Sequence, residues 1–172
     1  AIREFLFSDV ELNYVSNNIS LLSSHLLNSP VDMALRKATS TTDGDLLMVV
    51  NTDGTMATYS ILKDQNITAP SLASTDGEFI NVAVDVETVY CVVKRSINGS
   101  DVYYVEAFND DNTTDSAVLL SGSSKPSSTS VSGLTHLEGE TVKVIVDDAM
   151  QRNKTVSSGA ITLDAVPTTY VE

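Results

Sequence analysis

The chain has 172 residues, a formal net charge of −13, one cysteine and no tryptophan. That length suits one domain or two small ones and can bury roughly two thirds of the unfolded surface. The acidity excludes a phosphate backbone as ligand, because nucleic-acid binding needs clustered Lys and Arg; only Arg36-Lys37 and Lys94-Arg95 stand side by side.

A lone Cys91 excludes an intrachain disulfide and a cysteine-built metal site. Within Val89-Tyr90-Cys91-Val92-Val93 it is expected to be a buried, inert thiol. No signal peptide or lipidation motif is visible, and no apolar run approaches the roughly twenty residues of a spanning helix, so no membrane insertion is expected. The sequence begins without Met and stops within the strand-like Thr169-Tyr170-Val171-Glu172, which predicts a piece of a longer protein.

In chain order, Arg3-Glu4-Phe5-Leu6-Phe7 predicts an edge strand, followed by a polar stretch. Residues 18–27 predict one short helix near 19–27, capped by Asn18 or Ser20 and ended by Asn28-Ser29-Pro30. Beyond Pro30 the period becomes two. Leu46-Leu47-Met48-Val49-Val50 and Thr55-Met56-Ala57-Thr58-Tyr59-Ser60-Ile61 flank an Asp53-Gly54 hairpin signal. Glu78 to Val84 pairs with Val89 to Arg95, and Asn98-Gly99 turns the chain into a strand from Asp101 to Phe108. These strands predict an antiparallel meander, either propeller-blade-like or a sandwich. The polar residues 109–115 mark a boundary between a β region at 1–115 and a small β-barrel or sandwich module at 116–172. A Ser-rich loop or extended edge opens that module. Its centre is Gly133-Leu134-Thr135-His136-Leu137-Glu138-Gly139-Glu140-Thr141-Val142, a compact turn leading into one strand over residues 141–146. A second acidic turn at Asp147-Asp148 follows, with further strands at Lys154-Thr155-Val156 and Ala160-Ile161-Thr162-Leu163. The fold class expected is all-β.

The residues assemble no catalytic, cofactor or metal pattern. His136 and Glu138 would share a strand face but lack further ligands nearby, and a turn-stabilising histidine is the simpler reading. His25 reads as a packing or capping residue. Asp43-Gly44-Asp45, Asp53-Gly54 and Asp110-Asp111-Asn112 offer oxygen ligands without the spacing of a calcium loop, and read as solvated turns. No Gly-x-Ser-x-Gly elbow is present. Tyr59, Tyr90, Tyr103 and Tyr104 are expected in the core or in cross-strand pairs rather than on a sugar-binding face. Five Asn-x-Ser/Thr triplets begin at Asn18, Asn66, Asn98, Asn112 and Asn153, and a composition rich in Asn, Ser and Thr accounts for most of them.

Several of these motifs run in one order through nearly the whole chain. They are Arg3-Glu4-Phe5-Leu6-Phe7-Ser8, Ile19 to Leu27, Leu46 to Tyr59, Val82-Ala83-Val84, Tyr90 to Arg95, Ile97-Asn98-Gly99 and Val102 to Glu106. Ser132 to Val142 and Val156 to Leu163 complete the set. In this the chain resembles bacteriophage and prophage tail proteins, specifically the nozzle or tail tubular protein B group of short-tailed phages. It departs from the group in lacking Trp and in carrying Asp147-Asp148 where relatives tend to have Asp-Gly. The resemblance implies a virion tail part made in the host bacterial cytoplasm. Such a part self-associates into a ring around the DNA exit channel, contacts other tail proteins and has no enzymatic activity, cofactor or sequence-specific nucleic-acid binding. An acidic lumen suits that role, since it repels DNA in transit. The alternative is a receptor- or glycan-binding β module that contacts the host surface through its aromatic strands or Ser-rich loop.

Overall fold

A computed structural model describes residues 1–40, 43–109, 112 and 114–172. The fold is all-β, built of antiparallel sheets. It forms two compact units: residues 1–94 with 104–108, and residues 95–103 with 109–172.

In the first unit β1 (Arg3–Ser8) and β2 (Asn13–Asn18) form a two-stranded ribbon. A four-stranded meander follows, β3 (Pro30–Arg36), β4 (Asp45–Asn51), β5 (Met56–Leu62) and β6 (Ile67–Ala73), in the order β3-β4-β5-β6. Then β7 (Glu78–Asp85), β8 (Thr88–Ile97) and β9 (Ser100–Ala107) make a three-stranded sheet, whose β8-β9 tip counts with the second unit.

The central strands β4 and β5 of the four-stranded sheet bury side chains on both faces, whereas edge strand β6 is exposed along almost its whole length. Alternation in β4 sends Met48 and Val50 one way and Val49 the other, and the pairing of Val50 with Met56 and Val49 with Ala57 carries this into β5. Met48, Val50 and Met56 pack with Phe79, Val82, Val89, Cys91 and Val93 of the three-stranded sheet. Val49, Ala57, Tyr59 and Ile61 pack with Ile2, Ile19, Leu26, Leu27 and Leu47. A continuous apolar strand such as Leu46 to Val50 is what a doubly covered sheet requires. Each fully buried Val or Met contributes about 1.5–3 kcal/mol.

The helix expected near residues 19–27 is one 3-10 turn, Ser24–Leu26. Side chains in this segment bond elsewhere instead of supporting a longer helix. Ser20 is buried and its Oγ accepts the Ile2 N–H at 2.8 Å, while the Ser23 hydroxyl donates to the buried Tyr59 Oη at 3.2 Å. Ser and Asn that bond in this way compete with helix formation. Buried Asn51 completes the anchorage: its Oδ1 accepts the Asn28 N–H and its Nδ2 donates to the Leu26 carbonyl and Thr55 Oγ1. Gly54, at φ +79°, turns the hairpin beneath β7, where an added Cβ would lie 2.7 Å from the Glu78 Cβ.

The second unit is made of short strands: β10 (Leu120–Ser121), β11 (Ser130–Ser132), β12 (Thr141–Val142), β13 (Ile145–Val146), β14 (Ala149–Met150), β15 (Lys154–Thr155), β16 (Ala160–Thr162) and β17 (Tyr170–Val171). They form the sheets β10-β17-β13-β14, β11-β16 and β12-β15 around Val131, Leu134, Val144, Val146, Val156, Ile161, Leu163 and Val171. The single strand expected over residues 141–146 is two, in different sheets. Lys143-Val144 break the ladder so that Val144 drops fully into the core.

Met48→Ala is expected to destabilise the first unit by about 2–5 kcal/mol, through lost burial and a residual cavity. Val10→Ala, at a position 95% exposed, is expected to stay within about 0.5 kcal/mol. Urea unfolding of the two variants checks the contrast.

Candidate functional site

The candidate site is the outward face of the β1-β2 ribbon. Along β1 and the residue before it, Ile2, Glu4 and Leu6 alternate with Arg3, Phe5 and Phe7. Ile2 joins the core beneath, and Glu4 forms an ion pair with Lys63, which directs that side of the ribbon at the four-stranded sheet. Phe5 and Phe7 therefore point away, 71% and 53% exposed, and Tyr14 on β2 joins them at 70%. Phe7 and Tyr14 are register partners, with ring centroids 5.4 Å apart in an edge-to-face arrangement at 73°. Such a pair adds about 0.5–1.5 kcal/mol beyond its buried area and fixes both rings. Val10 and Leu12 extend apolar exposure to the ribbon tip. Chemically this surface offers stacking and apolar burial with one cation, Arg3, on the same face.

Beside the ribbon runs an open groove of about 490 Å³, lined by Ile2, Arg3, Leu27, Val31, Asp32 and Met33 among others. Asp32 is occupied there. Its Oδ2 accepts the Val82 N–H at 3.0 Å and the Asn81 amide at 3.3 Å, and the Val82 bond foremost holds its carboxyl below the ordinary range. This carboxylate tethers edge strand β3 to β7 where the β7-β8 register shifts between Phe79 and Asn81.

The residues weighed for chemistry are not brought together. Asp43 pairs with Arg36 at 3.4 Å, and Asp45 accepts the Ala38 N–H and Lys37 Nζ, so the two carboxylates serve different basic partners. Both Asp53 oxygens are engaged, one by Thr55 and one by Asn28, which lowers its pKa. Asp110 and Asp111 lie outside the described residues. Among the described residues no three His, Cys, Asp or Glu side chains converge on a metal position. His136 sits exposed in a 3-10 turn, Thr135–Leu137, so it does not share a strand face with Glu138. His25 is exposed, in the last turn of the 3-10 helix Ser24–Leu26. Of the tyrosines, Tyr59 is fully buried and Tyr104 half-buried, whereas Tyr90 and Tyr103 are exposed. Among the Asn-x-Ser/Thr sites, Asn66, Asn98 and Asn153 are exposed, and Asn18 and Asn112 are half-buried.

The acids of the second unit act as backbone acceptors. Glu138 receives the N–H groups of Ser158 and Gly159 at 2.9 and 2.7 Å. Gly159 must be glycine there: at φ +68° an added Cβ would stand 2.6 Å from Thr135 Cγ2. Asp147 receives the N–H groups of Thr168, Thr169 and Tyr170 and the Thr169 hydroxyl, all within 3.1 Å. These bonds, the Thr169 hydroxyl first, hold its carboxyl far below the ordinary carboxylate range. Glu172 receives the N–H and hydroxyl of Thr114.

In sequence Arg3 to Phe7 reads only as an apolar edge strand and β2 as a polar stretch; the spacing of Phe5 and Phe7 is the one signal of the outward aromatic face. No protein family model and no curated protein matches the chain. Among the described residues no helix is long and apolar enough to cross a membrane.

Burial, reinforced by the Glu106 charge, pushes the Cys91 thiol up to about 11. The native protein is therefore expected to resist thiol reagents at mildly alkaline pH and to label only on unfolding, as a chromogenic disulfide assay would record. For Asp147 the folded pKa lies below the unfolded value, so its stabilisation is present above the ordinary Asp pKa of about 3.9 and is lost as pH falls below it. Asp147→Asn should lower the unfolding midpoint of the second unit near neutrality. The gap from the native chain should close progressively on acidification, measured by hydrogen exchange at residues 168–170.

Proposed function

We propose that the chain is a structural component of a bacteriophage virion tail, part of a self-associated ring lining the channel through which DNA leaves, with no catalytic activity. The observation that carries this reading is the outward aromatic face of the β1-β2 ribbon, Phe5, Phe7 and Tyr14, on a protein that is otherwise strongly acidic. A contiguous apolar face of this kind is an association surface. The order of motifs along the chain supplies the tail assignment, and the net charge of −13 suits a channel wall that must not retain DNA. Further copies of the full-length protein and neighbouring tail proteins are the partners, and the assembled virion is the location.

Quantitative mass spectrometry of purified tailed particles tests this. Peptides of this sequence are expected in a fixed ratio to the capsid protein, whereas their absence from particles overturns the proposal. Phe5→Ser with Phe7→Ser in the full-length protein should abolish ring assembly in electron micrographs while leaving the fold intact by circular dichroism. Rings that persist would remove the ribbon from the interface.

A receptor- or glycan-binding module is the second reading, favoured by the same exposed rings and by exposed Tyr103. Saturable binding of host envelope saccharides, lost in Tyr14→Ala, would put it first.

A further inference from the structure

We propose that Asn98-Gly99 is a self-modification site whose product detaches the β8-β9 tip from the Glu138-Gly139-Glu140 turn. The pair is the only Asn-Gly in the sequence. Every other asparagine is followed by a residue whose side chain screens the next backbone nitrogen. Asn98 and Gly99 are exposed at the hairpin tip with φ of +49° and +76°, and a Cβ built on Gly99 would meet nothing within 4 Å. No side chain on residue 99 therefore screens its backbone nitrogen, and the exposed turn leaves room for the ring to form.

In the reaction, the Gly99 nitrogen loses its proton and attacks the Asn98 side-chain carbonyl carbon. The C–N bond of the amide breaks, ammonia leaves with that proton, and a five-membered succinimide forms. Water then opens the ring at either carbonyl, giving aspartate or isoaspartate at position 98. One water is taken up and one ammonia released, with no oxidant or reductant.

The consequence lies in what surrounds position 98 within the second unit. The Asn98 N–H donates to Glu140 Oε1 at 2.8 Å, and Asn98 Oδ1 lies 3.7 Å from where a Cβ on Gly139 would stand. A neutral amide is therefore replaced by a carboxylate directly against a turn that already carries Glu138 and Glu140. Like charges at this range repel. The isoaspartate product also adds a carbon to the main chain, and a two-residue turn of fixed geometry does not accommodate it.

Warm incubation of the purified chain in mildly alkaline buffer, followed by peptide mapping and hydrogen exchange, tests both parts. Aspartate and isoaspartate should accumulate at position 98 well ahead of every other asparagine. In the modified fraction the position-98 amide should exchange about tenfold faster or more, as loss of a charge-assisted bond implies. Asn98→Asp should reproduce the faster exchange. Adding Glu140→Gln should restore slow exchange, because the glutamine oxygen still accepts the N–H without the charge. The proposal fails if position 98 stays intact while the denatured chain converts. It fails equally if conversion leaves exchange unchanged, or if Glu140→Gln brings no recovery.

Discussion

The constraint on which the first unit depends is that the two central strands of its four-stranded sheet, β4 and β5, bury apolar side chains on both faces. Met48 and Val50 project to one side, and Val49, Ala57 and Tyr59 to the other, with all five buried. Left with one face in water, that sheet would expose several large side chains, each worth about 1.5–3 kcal/mol in burial. It therefore forms only as the middle of three layers, with the β7-β8-β9 sheet over one face and the ribbon with its following segment over the other. The segment after β2 covers apolar surface yet is rich in Ser and Asn. Its polar atoms are accommodated because Asn51, Tyr59 and Ser20 supply partners inside the layer. The 3-10 turn is what remains of a helix once those bonds take precedence.

The second unit solves a different problem. Most of its strands are two residues long, too short for ladders alone to hold, and its core is a modest set of Val, Leu and Ile. Carboxylates take over the work of the missing ladder bonds. Glu138 closes the turn at Ser158-Gly159, and Asp147 gathers Thr168, Thr169 and Tyr170 so that β17 can lie between β10 and β13. A carboxylate that accepts several N–H groups makes stronger bonds than a neutral acceptor does. Part of the acidity that reads as surface charge in composition is therefore internal architecture.

The hairpins were the legible part of the sequence. Asp53-Gly54 and Asn98-Gly99 each sit between period-two runs, and both turn where the residues place them because glycine there tolerates positive φ. The all-β class follows from the same signals. What stayed hidden was decided by partners distant in sequence. Asn13-Tyr14-Val15-Ser16-Asn17-Asn18 has no strand composition of its own and becomes β2 because β1 pairs with it along its whole length. Residues 18–27 have helical spacing of leucines, but their serines find better partners in the sheet. Residues 141–146 look like one strand, and only the core position of Val144 divides them. His136 belongs to a 3-10 turn for the same local reason: Leu134 is drawn into the core and the chain closes tightly behind it, with Leu137 N–H bonded to the Leu134 carbonyl at 2.9 Å.

The outward ribbon face and the overall charge pull in opposite directions. Phe5 and Phe7 carry no polar group, so water gains nothing from them and a partner surface does. Copies of a chain with net charge −13 nevertheless repel one another at a distance. Charge repulsion is screened beyond about 8–10 Å at physiological salt, whereas apolar burial acts at contact and is not. Contact between such copies is thus favoured only where apolar surface meets apolar surface closely and acidic side chains stay at the rim. The ribbon meets that condition: its outward positions on β1 and β2 are Arg3, Phe5, Phe7, Tyr14, Ser16 and Asn18, with no acid among them, while Glu4 is turned inward onto Lys63. The placement of one glutamate on the inner side of a six-residue strand keeps the outer side free of negative charge.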